Sequence, residues 1–459
     1  LCYSVNYIYY YRIKEQKTMG GNKKNNTIVI EGGLLLSMVD GQEPLHDVRV
    51  VISGDTIKEV SVSCNSSLPE TNEIIYATDA IILPGLINTH CHSPMALFRG
   101  MADDLPLKSW LFEHIFPAEA KHINPDTVYW ASLLSCAEMI ASGTTTCIDG
   151  YFFANEIVEA MDKSGMRALV AQGVIDFPAP GVPDPKKNLF VASAFLEKWT
   201  HFSDRIIPGL FCHSPVTCSK RTLLEAQEIS TQFDLPLQIH LAETNEEVTE
   251  ICQKTSMRPA FYLDELGLLK SNLIAAHAIY LNEEEIDLLA KREVKIAHCP
   301  ESNMKLGSGI AAVAQMLEKG ITVGIGTDGC ASNNDLDLFL EMDTTAKLAK
   351  VANLDPTIID AHTVLAMATI KGAKVIGLEN NIGTIEEGKK ADIIIIDTQS
   401  PHMTPMYNPY SQLVYSATGG DVRDVIINGN IVYRDRRFTN LDSAQIMDEV
   451  TRLCQRINA

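Results

Sequence analysis

The run Ile81-Ile82-Leu83-Pro84-Gly85-Leu86-Ile87-Asn88, followed at once by Thr89-His90-Cys91-His92, is the first of eight apolar, β-rich stretches in the middle of the chain. The other seven are Thr144–Asp149, Arg167–Gly173, Ile206–Cys212, Leu235–His240, Leu273–His277, Val294–His298 and Ile321–Thr327. Between them lie amphipathic stretches such as Thr127–Ala141 and Asn282–Arg292. In the second, Asn282 stands as an N-cap with Glu285 three residues on, as in a capping box. Strands alternating with helices indicate parallel βαβ units. Eight of them in roughly 250 residues fit a closed (β/α)8 TIM barrel. An open doubly wound sheet would carry a Gly-rich phosphate turn after its first strand, and none is visible here.

Outward from the barrel the pattern changes. Residues 27–80 hold short β-branched runs (Asp47–Ile52, Thr56–Val62) with turn signals at Gly32-Gly33 and Ser53-Gly54-Asp55. Residues 382–437 behave likewise, with Ala391–Asp397, Val422–Asn428 and Asn430–Tyr433 as strands and Asn428-Gly429-Asn430 as a tight turn. Two β-rich ends around one barrel are expected to pair into a small β-sandwich formed from both termini. The barrel is then expected over 81–381 and a C-terminal helix over 438–459. Residues 1–26, with a tyrosine-rich run at Tyr7–Tyr11 and Met19 just before a Gly/Asn/Lys stretch, are read as an extension or tag outside the fold.

Composition narrows the classes. Of 459 residues 46% are hydrophobic, enough for a large core, and the formal net charge is −20. That balance speaks against a nucleic-acid partner, because phosphate binding needs clustered Lys and Arg. Apolar runs are short, so no membrane span is expected. The eleven cysteines contain no C-x-x-C pair. An odd, scattered set fits reduced thiols and a cytoplasmic location.

The chemistry sits at the strand ends. In extended backbone residues i and i+2 point the same way, so His90 and His92 can offer both imidazoles to one ion. His240 ends the fifth strand, His277 the sixth, and Asp328 the eighth. Barrel active sites lie at the carboxyl ends of the strands, so these side chains converge on one mouth. Each has a structural alternative, since Asp can cap the following helix, but their coincidence on one face points to a metal site. Imidazole and carboxylate ligands suit one divalent ion, with Zn2+ expected.

The arrangement resembles the amidohydrolase superfamily in its mononuclear subtype, with the closer likeness to its 5-methylthioadenosine/S-adenosylhomocysteine deaminase and chlorohydrolase branch. Beyond the residues above, Ser214-Pro215, Cys299-Pro300-Glu301-Ser302-Asn303-Met304-Lys305-Leu306 and Ser332-Asn333-Asn334 match in order, over roughly residues 28–437. The resemblance implies that His90, His92, His240 and Asp328 bind the metal. Bound water would drop in pKa from about 15.7 to about 7, supplying hydroxide near neutrality. Asp328 would take a proton from it. Glu243 would protonate a ring nitrogen of the heterocycle, and Glu243 or Asp328 would serve the departing ammonia. His277 would orient the hydroxide. A second ion usually needs a carboxylated Lys at the fourth strand, where Phe211-Cys212-His213 has none. His213 is implied as a substrate contact instead.

By the same resemblance Glu119 contacts ribose hydroxyls and Trp110 borders the pocket. A carboxylate suits a vicinal diol because it can accept both hydroxyl protons. Where some members carry Arg on the third strand this chain has Gln172, and the Phe177-Pro178-Ala179-Pro180-Gly181 loop also departs from the pattern. A neutral amide cannot pair with a substrate carboxylate, which puts the amino-acid tail of S-adenosylhomocysteine in question. The expected activity is hydrolytic deamination of an adenine nucleoside: 5′-methylthioadenosine, S-adenosylhomocysteine, 5′-deoxyadenosine or adenosine. The alternatives are a related hydrolase acting on guanine, a pterin or a triazine, and a non-catalytic binding barrel. Family likeness also implies a homo-oligomer.

Overall fold

The computed structural model describes residues 27–63 and 69–457, so the expected extension at 1–26 lies outside the described residues. Its centre is a ring of eight parallel strands: β1 (Leu86–Cys91), β2 (Thr144–Tyr151), β3 (Arg167–Val174), β4 (Ile206–Cys212), β5 (Leu237–Leu241), β6 (Leu273–His277), β7 (Lys295–His298) and β8 (Val323–Ile325). Each pairs with the next in sequence, and Cys91 bridges Asp328 in parallel to close the ring. Almost every strand residue is buried, as expected where helices cover the outside and side chains fill the inside. The helices start where their caps dictate. Asn124 accepts from Asp126 N and Thr127 N and starts the helix Pro125–Ala141. Asn282 accepts from Glu285 N at 2.9 Å while Glu285 accepts from Asn282 N at 3.0 Å, the expected capping box.

The opening run differs from expectation. Ile81–Asn88 is not one barrel strand but parts of two strands in different sheets. Ala80–Pro84 pairs antiparallel with Ile393–Asp397 and parallel with Leu34–Leu35, in a seven-stranded sheet outside the barrel. The barrel starts only at Leu86. Gly85 makes the crossing, donating to Asp392 O at 3.0 Å. A Cβ there would stand 2.1 Å from Thr145 Oγ1, so only glycine fits.

The seven-stranded sheet faces a four-stranded one made of Thr27–Glu31, Val48–Ser53, Thr56–Val62 and Glu73–Tyr76. Both ends of the chain fill the space between them: Ile28, Ile30, Val50 and Ile52 pack with Ile82, Ile393, Ile395 and Ile426. Alternate residues Ile81, Leu83, Ile394 and Ile396 face the other way into the barrel's core, as the period of two requires. The turn expected at Asn428-Gly429 has positive φ at both residues, 50° and 72°. A buried ion pair ties this layer to the barrel floor: Arg167, first residue of β3, meets Asp392 through Nε–Oδ2 at 2.7 Å and Nη2–Oδ1 at 3.2 Å. The helix Ser443–Ile457 then lays Ile446, Val450 and Leu453 inward. No helix among the described residues is long and apolar enough to cross a membrane.

Candidate metal centre and substrate cavity

The strand ends bring His90, His92, His240 and Asp328 together, all buried, with one ligand atom from each inside a 4.8 Å group. Asp328 Oδ1 lies 3.5 Å from His90 Nε2 and 3.2 Å from His92 Nε2, and His240 Nε2 lies 3.2 Å from His90 Nε2. An ion with tetrahedral bonds of about 2.0–2.1 Å spaces its ligand atoms about 3.3 Å apart. The donor set therefore fits a single small divalent ion.

Surrounding groups fix which atoms face the centre. His92 Nδ1 stands 2.6 Å from Gly150 O. A carbonyl can only accept, so Nδ1 carries the proton and Nε2 keeps its lone pair inward. Asp328, held at φ 60°, accepts on Oδ2 from Ser302 Oγ at 2.7 Å and Ser332 Oγ at 2.9 Å, which leaves Oδ1 for the centre. Burial lowers His90 to about 4 and His240 well below its ordinary value, so both rings are neutral ligands near neutral pH. Burial alone would raise the Asp328 carboxyl, but contact with His90 and His92 outweighs it and holds the group well below the usual range.

His277 and Glu243 stand beside this group rather than in it. His277 Nδ1 lies 2.8 Å from Asn303 Oδ1, and its Nε2 is 3.8 Å from Glu243 Oε2. Burial raises the Glu243 carboxyl, outweighs the opposing influence of His277 and so favours a form that carries a proton. Both line a cavity above the strand ends, together with Asp328, His213, Glu119 and Trp110. His213, at the tip of β4, is oriented by Thr217 Oγ1 at 2.9 Å from Nδ1. A π-helical turn over Trp110–Ile115 runs into the helix Phe116–His122 and carries Trp110 and Glu119 to the wall. Burial pushes Glu119 up to about 7 against a hydrogen bond from the Tyr151 hydroxyl.

Gln172 is a different matter. Its amide accepts from Ala154 N at 3.3 Å and donates to Gly173 O at 3.2 Å. The wall there is made by Gly173, Val174 and Ile175 instead. Gln172 thus supports the start of a helix and is not among the residues lining the cavity. In the adjoining loop Phe177 packs on Phe116 with ring centroids 5.1 Å apart.

Sequence reasoning gave no role to Ser302, Ser332, Asn303 or Tyr151. The first three lie inside the quoted motifs, and only the fold reveals that they hold Asp328 and His277. Tyr151 had a usable signal, its place at the carboxyl end of β2, but that strand was expected to stop at Asp149.

Fold and site define a metal-binding β/α-barrel enzyme. The chain belongs to the amidohydrolase family, whose model matches residues 81–432. It is 47% identical over 438 residues to a 5-methylthioadenosine/S-adenosylhomocysteine deaminase of Syntrophobacter fumaroxidans, covering 95% of this chain and 99% of the relative. It is 43% identical over 401 residues to a 5′-deoxyadenosine deaminase of Methanothermobacter thermautotrophicus, covering 87% and 92%. Among solved structures, a zinc-bound adenosine deaminase from Xanthomonas campestris superposes with a TM-score of 0.91 at 36% identity, covering 94% of this chain and 98% of that one.

Proposed function

We propose that this protein uses one divalent ion, with zinc as the expected metal, to deaminate the adenine ring of a nucleoside. The candidate substrates are 5′-methylthioadenosine, 5′-deoxyadenosine, S-adenosylhomocysteine and adenosine, each giving the inosine analogue and ammonia. The observation that carries the reading is the buried His90, His92, His240 and Asp328 group facing Glu243 and His277 across one cavity. His90, His92, His240 and Asp328 would hold the ion. Bound there, it would make water acidic enough to supply hydroxide near neutrality.

The chain's own groups do the remaining work. His277, its Nδ1 proton engaged by Asn303, presents Nε2 to orient the attacking water. Asp328 accepts the water's proton on Oδ1, with Oδ2 held by Ser302 and Ser332. Glu243 gives its proton to a ring nitrogen as oxygen adds to the amine-bearing carbon. The proton taken by Asp328 then reaches the amine, the C–N bond breaks as ammonia leaves, and the added hydroxyl returns its remaining proton to Glu243 as the C=O bond forms. His213 and Trp110 border the base, and Glu119 accepts from the ribose diol. The cytoplasm is the proposed location, in keeping with nine free cysteines among the described residues.

Ammonia release is the direct test, measured against the four adenine nucleosides with guanine and a chlorotriazine alongside. Turnover is expected with at least one nucleoside. Turnover of guanine or the triazine alone would overturn the proposal.

A further inference from the structure

Tyr151 ends β2 and sits almost wholly inside the protein, 4% exposed, yet it lines the cavity. Its ring leans on Phe152 and, at 6.3 Å between centroids, on the metal-site His92. Its hydroxyl donates to Glu119 Oε1. No other hydrogen bond reaches that carboxylate among the described residues, so Oε2 is left to the cavity. Burial, then the Glu119 charge, holds the phenol well above its usual range, so it remains a donor across the working pH range.

We propose that Tyr151 is a positioning residue for ribose recognition: by holding Glu119 Oε1 it fixes the carboxylate plane and presents Oε2 to the substrate's vicinal diol. The inference rests on the reading of Glu119 as the diol acceptor. The terminal torsion of a glutamate is broad, so an unpinned carboxylate must be ordered at each binding event. Tyr151 removes that cost beforehand. It also works against burial, which otherwise favours the protonated acid with one acceptor fewer. The groups facing Glu119 are thus a neutral phenol and the His92 imidazole.

The experiment is steady-state kinetics of metal-loaded Tyr151→Phe with a turned-over ribonucleoside and its 2′,3′-dideoxy counterpart, as a function of pH. Loss of one hydrogen bond to a charged group should raise KM for the ribonucleoside about tenfold or more, with kcat little changed. KM for the dideoxy compound should stay as in the wild type. The acid limb of kcat/KM for the ribonucleoside should move to higher pH, because Glu119 loses the donor that favours its charge. Equal losses on both substrates, no loss on either, or loss of bound metal would each overturn the proposal. Glu119→Gln separates the two layers. If it treats both substrates alike, the diol reading itself fails. If it discriminates between them and Tyr151→Phe does not, only the positioning role fails.

Discussion

Replacing Arg167 by Met tests whether the barrel and the β-layers unfold as one body. The Arg167 and Asp392 side chains are each only 3% exposed and meet bidentately. Arg167 also donates to Asp204 O and Asn428 Oδ1, both at 3.0 Å. Without it, the buried Asp392 carboxyl is left with one hydrogen bond, from the Asn428 N–H at 2.6 Å. Removing one partner of a buried pair costs about 3–5 kcal/mol. Unfolding entropy of about 2.1 cal/mol/K per residue amounts to about 1 kcal/mol/K over a chain of this length, so Tm should fall by about 3–5 °C. Calorimetry should show a single transition displaced by that amount. Because Arg167 begins β3, at the opposite end of the strands from the site, kcat/KM should stay near the wild-type value. Arg167→Met combined with Asp392→Leu should recover part of the loss, since no lone charge remains buried. A Tm within a degree of wild type, or a separate early transition for the β-layers, would refute the reasoning.

The other predictions concern the site. Glu243→Gln should keep its metal and bind substrate yet lose about 10²–10⁴ in kcat; near-normal turnover removes the acid from that residue. With Glu119 raised to about 7, its ionised form, and with it kcat/KM for a ribonucleoside, should fall about tenfold per pH unit below that value. The pH profile of Glu119→Gln should lack this limb, and its persistence there would assign the limb elsewhere. Gln172→Ala should leave the ratio of kcat/KM between methylthioadenosine and S-adenosylhomocysteine unchanged, since its amide is spent on Ala154 and Gly173. A changed ratio would place Gln172 back at the pocket.

The barrel was legible because its strands are continuous apolar runs, and a strand buried on both faces has that composition and little else. The site was legible because histidines and a carboxylate ended three different strands and began a fourth loop, a coincidence that packing alone does not explain. The break at Gly85 was hidden by its neighbours: Ile81–Leu83 and Leu86–Ile87 are equally β-prone, and nothing local says that the sheet changes between them. What forces the change is the contact of Gly85 with Asp392 and Thr145, far along the chain. Ser302, Asn303 and Tyr151 escaped for the same reason. Their partners Asp328, His277 and Glu119 stand at separations no periodicity encodes. Where Gln172 sends its amide could not be read from the sequence: residues 173–175 make the wall, while its oxygen accepts from Ala154 N.

The most direct test is metal content per chain, measured by elemental analysis on the purified protein and on His240→Ala and Asp328→Ala. Four buried ligands around one centre predict one divalent ion per chain in the wild type and loss of most of it in both variants, with ammonia release falling in step. No stoichiometric ion in the wild type after incubation with zinc, or full occupancy retained in both variants, would contradict the account at its root.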